Sequence, residues 1–217
     1  VAKINHDLRN TLSSAQLLSD QVATLDDPKV QRLAPRLVTT LDKAIGFAQA
    51  VLDYGRETSI VPQFAPVNLR TLVDDAAFDA RVAGNPLIAF DNGVDASLMV
   101  EVDAGQMGRV LVNLLKNARE ALEAVPGEAQ DFHVEARASA DPERTVITLR
   151  DNGPGLPPRA RENLFVAFEG SARSGGTGLG LAIAREITEA HGGVLAHVDE
   201  GRGTRFDIAL PVRRKEG

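Results

Sequence analysis

RVLVNLLKNAREAL, residues 109–122, is apolar on nearly every face of a helix. Four of its polar side chains share one stripe, at positions i, i+3, i+4 and i+7: Asn113, Lys116, Asn117 and Glu120. A helix that is buried on most sides must satisfy its remaining polar side chains in some way. We therefore predict a core helix that follows a capping box at Asp103 and Gln106 and runs to about Val125.

The polar stripe on this helix carries the first chemical signal. Asn113 and Asn117 are two amides four residues apart, and Lys116 lies between them. An amide oxygen can join the coordination shell of Mg²⁺ while water and phosphate oxygens supply the other ligands. The stripe therefore suits a metal-bound polyphosphate. A solvent-facing stripe on a core helix is the alternative for this segment taken alone.

The segments around this helix predict a mixed α/β domain between residues 59 and 217. Asn68 can cap a helix that runs to about Ala83, and a second helix is expected at 179–190. Strands are predicted at 87–90, 98–102, 132–138, 145–150, 194–198 and 205–210. The loop at 151–176 is expected to contain one helical turn near 159–164. The expected architecture is an α/β sandwich in which helices cover one sheet.

A glycine-rich segment, Asp151-Asn152-Gly153-Pro154-Gly155, ends one of these strands. Asn-Gly alone is a strong hairpin signal, but the prolines and the helical turn that follow disfavour a simple hairpin. Glycines allow the backbone to approach a flat ligand. The carboxylate of Asp151 can accept a hydrogen bond from an exocyclic amine of such a ligand.

A second glycine-rich segment, Gly176-Thr177-Gly178-Leu179-Gly180-Leu181, leads directly into a helix. Small residues at this point let backbone amides face anionic oxygens, and the helix dipole supports the same interaction. The dinucleotide-binding fingerprint is the nearest rival, but the spacing here is G-x-G-x-G and a polar loop precedes it. The sequence contains no G-x-x-x-x-G-K-[ST], so a P-loop is excluded.

The first 25 residues form an amphipathic heptad pattern. Positions a are Val1, Leu8, Ala15 and Val22, and positions d are Ile4, Thr11, Leu18 and Leu25. His6 then falls at f, far from the apolar seam, with Asp7 beside it and Asn10 one turn further on. A solvated imidazole can act as a nucleophile through one ring nitrogen. An exposed histidine on a coiled coil is the alternative for this feature alone.

A second heptad series begins after the turn signal Asp26-Asp27-Pro28. Its a positions are Val30, Leu37, Ala44 and Val51, and its d positions are Leu33, Thr40, Phe47 and Tyr54. Two antiparallel helices with narrow apolar seams cannot enclose a core alone, so we predict a four-helix bundle built by two chains. Residues 1–56 would form this homodimer, and the hairpin domain would span 1–58. In the alternative, the hairpin packs on the C-terminal domain of its own chain.

The composition limits the possible partners. The chain has 217 residues, a formal net charge of -6 and no cysteine. An acidic chain is a poor partner for nucleic acid or an anionic membrane, and we see neither a signal peptide nor a long apolar run. We expect a cytoplasmic fragment that makes no membrane contact itself. Because it begins in mid-heptad, we also expect a longer parent whose upstream segment could carry a membrane anchor.

Taken in order, these segments resemble the sensor histidine kinases of two-component signalling. Five motifs carry the resemblance: 5–10 is similar to the phosphoacceptor box, 113–117 to the N box, 151–155 to the G1 box, 164–168 to the F box and 176–181 to the G2 box. Gly201-Arg202-Gly203-Thr204 resembles the small-residue turn before the last strand. The resemblance covers essentially the whole chain. It implies a dimeric phosphotransfer hairpin followed by a Bergerat (GHKL) ATP-binding domain.

The resemblance implies roles for the residues of the hairpin. His6 would take the γ-phosphoryl group of ATP and pass it to an aspartate of a response regulator receiver domain. Asp7 would hold the proton on the other ring nitrogen of His6. Asn10 would orient a water that removes phosphate from the receiver, which gives the chain a possible phosphatase activity.

The resemblance also implies an ATP site with Mg²⁺. Asn117 would hold the metal, Asn113 and Lys116 would lie near the phosphates, and Asp151 would bind the adenine amino group. Arg173 would replace the lysine usual in the lid. The complete implied set is Asn113, Lys116, Asn117, Asp151, Gly153, Gly155, Phe165, Phe168, Arg173, Gly176, Thr177, Gly178, Leu179 and Gly180.

Two rival functions remain at the level of sequence. ATPases of the same fold carry a glutamate where Asn113 stands, and an amide cannot act as a general base, which favours transfer to a protein nucleophile over hydrolysis. A scaffold that binds a receiver domain without ATP would not need Asn117, Asp151 or the G2 glycines. The remaining histidines are interpreted as structural: His133, His191 and His197.

Overall fold

The computed structural model describes residues 61–125, 132–157, 161–167 and 178–213, together with isolated residues between 15 and 44. Its elements in chain order are β1 (Ala65–Asn68), α1 (Leu69–Asp79), β2 (Ile88–Asn92), β3 (Met99–Val102), α2 (Ala104–Glu123), β4 (Phe132–Ala140), β5 (Arg144–Asp151), α3 (Gly180–Ala190), β6 (Val194–Val198) and β7 (Thr204–Pro211). These bounds confirm the predicted order of helices and strands after residue 68, whereas the sequence analysis did not predict β1.

Five strands form the main sheet in the order β2-β4-β5-β7-β6, and β1 pairs separately with β3. The β2–β4 pair is parallel, while β4–β5, β5–β7 and β6–β7 are antiparallel. Side chains alternate along β7: Phe206, Ile208 and Leu210 are buried, whereas Arg205 and Asp207 lie on the other face. One face of the sheet therefore packs on the core and the other is polar.

The three helices form the layer that the sequence predicts. α2 packs against both α1 and α3. Its fully buried side chains include Met107, Leu111, Leu115 and Leu122. Burial of one such side chain contributes about 1.5–3 kcal/mol, so α2 is the central element of this core. The prediction of a mixed α/β architecture is confirmed.

Two predicted caps fix where the first helices begin. Asn68 Oδ1 accepts a hydrogen bond from the Thr71 backbone N–H at 3.0 Å, and Asp103 Oδ1 accepts one from the Gln106 N–H at 3.0 Å. Each bond satisfies an N–H that lacks a partner within the helix.

The predicted end of α1 near Ala83 is wrong, because the helix ends at Asp79. Arg81 has a φ of 56°, in the left-handed region. This backbone turn directs Val82 into the core, where it is fully buried.

The predicted helical hairpin lies mostly outside the described residues, as do His6, Asp7 and Asn10. The residues described between Val30 and Ala44 are helical. The dimeric four-helix bundle and the boundary at 58/59 stay predictions. None of the helices in the described ranges is long and apolar enough to cross a membrane.

Candidate functional site

A small cavity lies between α2 and the sheet, at the end of β5. Its volume is about 10 Å³, and it is lined by Leu114, Leu115, Ala118, Val134, Leu149, Arg150, Asp151, Thr204 and Phe206. Such a volume has room for about one water, so a larger flat ligand would enter only if the walls move apart. Apolar walls with a few placed polar groups are typical of sites for organic ligands.

Asp151 supplies the carboxylate at this cavity. It is the last residue of β5 and its side chain is buried. Asp151 Oδ1 accepts a hydrogen bond from the Gly153 N–H at 2.9 Å. An ideal Cβ at Gly153 would lie 2.9 Å from that oxygen and 3.2 Å from Leu122 Cδ2. Glycine is therefore required for the G1 segment to pack against the end of α2.

The turn before β7 packs directly on the backbone of Asp151. Gly203 has a φ of +78°, and an ideal Cβ there would lie 1.9 Å from the Asp151 carbonyl oxygen. Gly155 has a φ of +76°, and its ideal Cβ would lie 3.0 Å from the Gly203 oxygen. The sequence marked residues 201–204 only as a small-residue turn. Gly155 and Gly203 therefore pack against each other beside Asp151. Their spacing in the chain does not predict this contact.

Asn113 of α2 faces the beginning of α3. Its Nδ2 atom is buried and has no hydrogen-bond partner among the described residues. An ideal Cβ at Gly180, the first residue of α3, would lie 3.7 Å from Asn113 Oδ1. The residue before it, Leu179, provides no side-chain cap. An unpartnered amide donor beside the N-terminus of a helix fits an anionic oxygen such as that of a phosphate.

The rest of the polar stripe lies nearer the solvent. The Lys116 side chain is 56% exposed, and its Nζ is 3.8 Å from the Glu120 carboxylate. Asn117 is half-buried, one turn after Asn113. In the described part of the chain, no group of three or more His, Asp or Glu side chains could hold a metal. A cation at Asn117 would therefore need phosphate and water oxygens for its other ligands.

Phe165 lies away from the cavity at Asp151. It lines a larger cavity of about 450 Å³ between α3, β6 and residues 161–165. Its ring packs edge to face on Phe206, with centroids 6.5 Å apart, and the Arg185 guanidinium lies 5.7 Å from its centroid. Phe206 lines the small cavity at Asp151. Phe165 is thus connected to that cavity through its ring contact with Phe206. Phe168, Arg173, Gly176 and Thr177 lie outside the described residues.

The three histidines of this domain have packing roles. His191 is buried, its Nε2 accepts a hydrogen bond from the Asp103 N–H at 3.1 Å, and its Nδ1 donates to the Ile187 carbonyl at 2.8 Å. These two bonds fix the tautomer. Burial and the nearby Arg161 lower the pKa of His197. His133 lies on the polar face of β4, where its backbone binds Asn152.

Comparison with known proteins defines the class. A sequence model of the family described as "Histidine kinase-, DNA gyrase B-, and HSP90-like ATPase" matches residues 102–214, just over half of the 217 residues. The chain therefore belongs to this family. The match includes α2, the G1 segment and α3.

Individual relatives are sensor histidine kinases, which confirms the resemblance carried by the motifs. MtrB of Mycobacterium leprae is 33% identical over 226 residues, covering 97% of this chain and 39% of MtrB. The mycobacterial sensor histidine kinase MprB has a solved structure that is 32% identical, with a TM-score of 0.56, covering 69% of this chain and 99% of that chain. Histidine kinase ThkA, solved in complex with response regulator protein TrrA, shares the fold at 23% identity and a TM-score of 0.67, covering 100% of this chain and 62% of that chain. The chain spans well under half of MtrB.

Proposed function

We propose that the chain is a protein-histidine kinase that binds ATP with Mg²⁺ between α2, α3 and the end of β5. The unpartnered Nδ2 of Asn113 beside the start of α3 is the observation that carries this proposal. In this arrangement the amide of Asn113 donates to a phosphate oxygen, and Lys116 and the first N–H groups of α3 add positive potential. Asn117 holds Mg²⁺, which neutralises charge on the phosphates.

The adenine ring occupies the apolar cavity that ends at Asp151. Leu115, Leu149 and Phe206 contact its faces and edges. The buried Asp151 carboxylate accepts a hydrogen bond from the exocyclic amino group. Because the cavity is small, the adenine separates its walls on entry, and Gly153 and Gly155 give the G1 segment the freedom to move.

The phosphoryl acceptor is His6. A lone pair of one ring nitrogen forms the N–P bond to the γ-phosphorus while the bond from that phosphorus to the β,γ-bridging oxygen breaks, and ADP leaves. Asp7 holds the proton on the other nitrogen and stabilises the imidazolium. Asn113 cannot activate water as a carboxylate would, which supports transfer to a protein over hydrolysis.

Residues 1–58 form the dimeric phosphotransfer hairpin, and residues 59–217 form the catalytic domain. Leu33 and Leu37, at predicted d and a positions, are 54% and 46% exposed in the single chain. Apolar side chains exposed at these seam positions support a bundle in which a second copy covers them.

The partner of the phosphorylated hairpin is a response regulator receiver domain, to whose aspartate His6 passes the phosphoryl group. The complex of ThkA with the response regulator TrrA supports this assignment. Asn10 positions a water that hydrolyses the phosphorylated aspartate of the receiver and releases inorganic phosphate, which is the phosphatase reaction. The chain acts in the cytoplasm, where ATP is available.

A scaffold that binds the receiver domain without ATP is the alternative function.

Incubation of the chain with γ-labelled ATP and Mg²⁺ tests the kinase. We expect label on the protein that is lost in acid, survives base and is absent from His6→Gln. His133→Gln, which alters a histidine on the polar face of β4, is the matched control and should keep the label. Label that persists in His6→Gln would refute the acceptor assignment. A folded chain that does not bind ATP would favour the scaffold.

A further inference from the structure

Arg161 connects two loops that meet beside the end of β5. Its Nε donates a hydrogen bond to the Leu156 carbonyl oxygen at 3.0 Å, just after the G1 segment. Its Nη1 forms an ion pair with the carboxylate of Asp199, just after β6. The guanidinium of Arg161 therefore links the loop that follows β5 to the loop between β6 and β7.

The loop at 199–203 is held in one conformation. Asp199 Oδ1 accepts a hydrogen bond from the Gly201 N–H at 3.1 Å. The carboxylate of Glu200 binds Arg150 Nε at 2.9 Å and Arg205 Nη1 at 2.8 Å. The Gly201 hydrogen bond and the positive charge of Arg161 lower the pKa of Asp199, so this carboxylate stays ionised at neutral pH.

This loop ends on the residues that line the small cavity. Gly203 packs against the Asp151 carbonyl oxygen, and Thr204, the next residue, lies in the cavity wall. The helical turn of Arg161 also contains Phe165, whose ring contacts Phe206 in the same wall. Displacement of either loop would therefore change the shape of the cavity.

We propose that Arg161 is a positioning residue for the adenine end of the nucleotide site. It ties the G1 segment to the 199–203 loop, so that the wall formed by Asp151, Thr204 and Phe206 moves as one unit when it separates from α2 to admit the adenine ring. This inference rests on the proposed ATP site. Among the described residues, the guanidinium of Arg161 binds Leu156 and Asp199 and neither Asn113 nor the first turn of α3, so its effect is on binding of the base and not on the phosphates.

Nucleotide affinity of the full chain tests this role. We expect Arg161→Ala to weaken binding of a non-hydrolysable ATP analogue and of ADP by the same factor, about tenfold, because a charge-assisted hydrogen bond is lost. KM for ATP should rise by a similar factor, while kcat at saturating ATP stays within about twofold. Arg161→Lys keeps the positive charge but lacks the planar guanidinium that binds both partners. We expect this variant to bind the nucleotide with intermediate affinity.

The partner of Arg161 gives a second, independent measurement. Asp199→Asn keeps an oxygen for the Gly201 N–H but removes the charge. We expect a smaller loss of affinity from Asp199→Asn, and no additional loss when it is combined with Arg161→Ala, because the two side chains act through one interaction.

The turn between β4 and β5 provides the matched control. Asp141 Oδ1 accepts hydrogen bonds from the N–H groups of Glu143 and Arg144 at 2.8 Å, and Arg144 Nε lies 3.6 Å from its carboxylate. Arg144→Ala removes a similar exposed ion pair and should leave affinity unchanged. Wild-type affinity in Arg161→Ala would overturn the positioning role but not the proposed function. Wild-type affinity in both single variants, Arg161→Lys and Asp199→Asn, would do the same. A wild-type chain that binds no nucleotide would overturn the proposed function, and this inference with it.

Discussion

Two glycines of the 199–203 loop allow the effect of backbone strain on stability to be distinguished from the effect of a steric clash. Gly201 and Gly203 have φ angles of +82° and +78°. A Cβ at Gly201 would meet no described atom within 4 Å, whereas one at Gly203 would lie 1.9 Å from the Asp151 oxygen. We expect Gly201→Ala to lower the free energy of unfolding by about 1 kcal/mol. Gly203→Ala should lower it several times as much and also weaken ATP binding, because Asp151 must move.

Urea unfolding of the two variants, together with titration of an ATP analogue, measures this difference. Equal losses of stability would show that the left-handed backbone accounts for both glycines. The contact between Gly203 and Asp151 would then make no separate contribution to the free energy of unfolding.

The buried amide of Asn113 lowers the stability of the free protein, a cost that the proposed nucleotide would offset. Its Nδ2 is buried without a partner among the described residues, and a buried donor left in this way costs about 1–3 kcal/mol. We expect Asn113→Leu to raise Tm in the absence of nucleotide and to lower affinity for Mg²⁺-ATP at least about tenfold. Thermal unfolding with and without an ATP analogue measures both effects. A variant of lower Tm that keeps its response to nucleotide would contradict the role of this amide.

At the scale of elements, Asp103 joins the start of α2 to the segment before β1. Its two carboxylate oxygens accept hydrogen bonds from the backbone N–H groups of Gln106 and Gln63, both at 3.0 Å. These donors lower the pKa of Asp103 below its usual value of 3.8. A carboxyl with a lowered folded pKa adds stability above its unfolded pKa, and this stability is lost as the pH falls through the folded value.

We therefore expect Asp103→Asn to be less stable than wild type at pH 7, although asparagine is also a good N-cap. The difference should shrink as the pH falls from about 4, where Asp103 becomes protonated in the unfolded chain, through the lowered pKa of the folded protein. Chemical unfolding across this pH range measures it, with Asp75→Asn on the exposed face of α1 as a control for the loss of one charge. A difference that does not depend on pH would mean that the ionised form gives no advantage.

Local sequence signals predicted the elements well and their mutual contacts poorly. The caps at Asn68 and Asp103 act over three residues, so the sequence alone located them. The end of α1 depends on Arg81, an ordinary residue forced into a left-handed conformation so that Val82 can be buried. The packing of Gly203 on Asp151 joins positions 52 residues apart (203 − 151 = 52). No local pattern encodes such a contact.

At the scale of the whole molecule, the candidate site exists only when distant segments meet. α2 supplies Asn113, β5 ends at Asp151, and α3 begins at Gly180. The sheet register places Thr204 directly opposite Asp151. Gly180 lies beside Asn113 of α2, and the G1 segment lies beside Leu122 of the same helix and beside Gly203. Motifs that are each weak as sequence signals thus meet around α2 and the end of β5. The proposed phosphoacceptor, His6, belongs to the other predicted domain, so the proposed phosphoryl transfer also depends on how that domain assembles.

Self-association through the hairpin is the prediction at this scale. Leu37 is 46% exposed at a predicted a position, and a charged residue at a dimer seam is strongly unfavourable because its charge loses water without gaining a partner. We expect the wild-type chain to have twice the monomer mass of 23.1 kDa and Leu37→Lys to be monomeric. Leu87→Lys alters a leucine that is 53% exposed in the loop before β2 and should stay dimeric. Light scattering after size exclusion measures the three masses. A dimer sensitive to Leu87→Lys and not to Leu37→Lys would place the interface outside the heptad seam, and a monomeric wild type would refute the dimer.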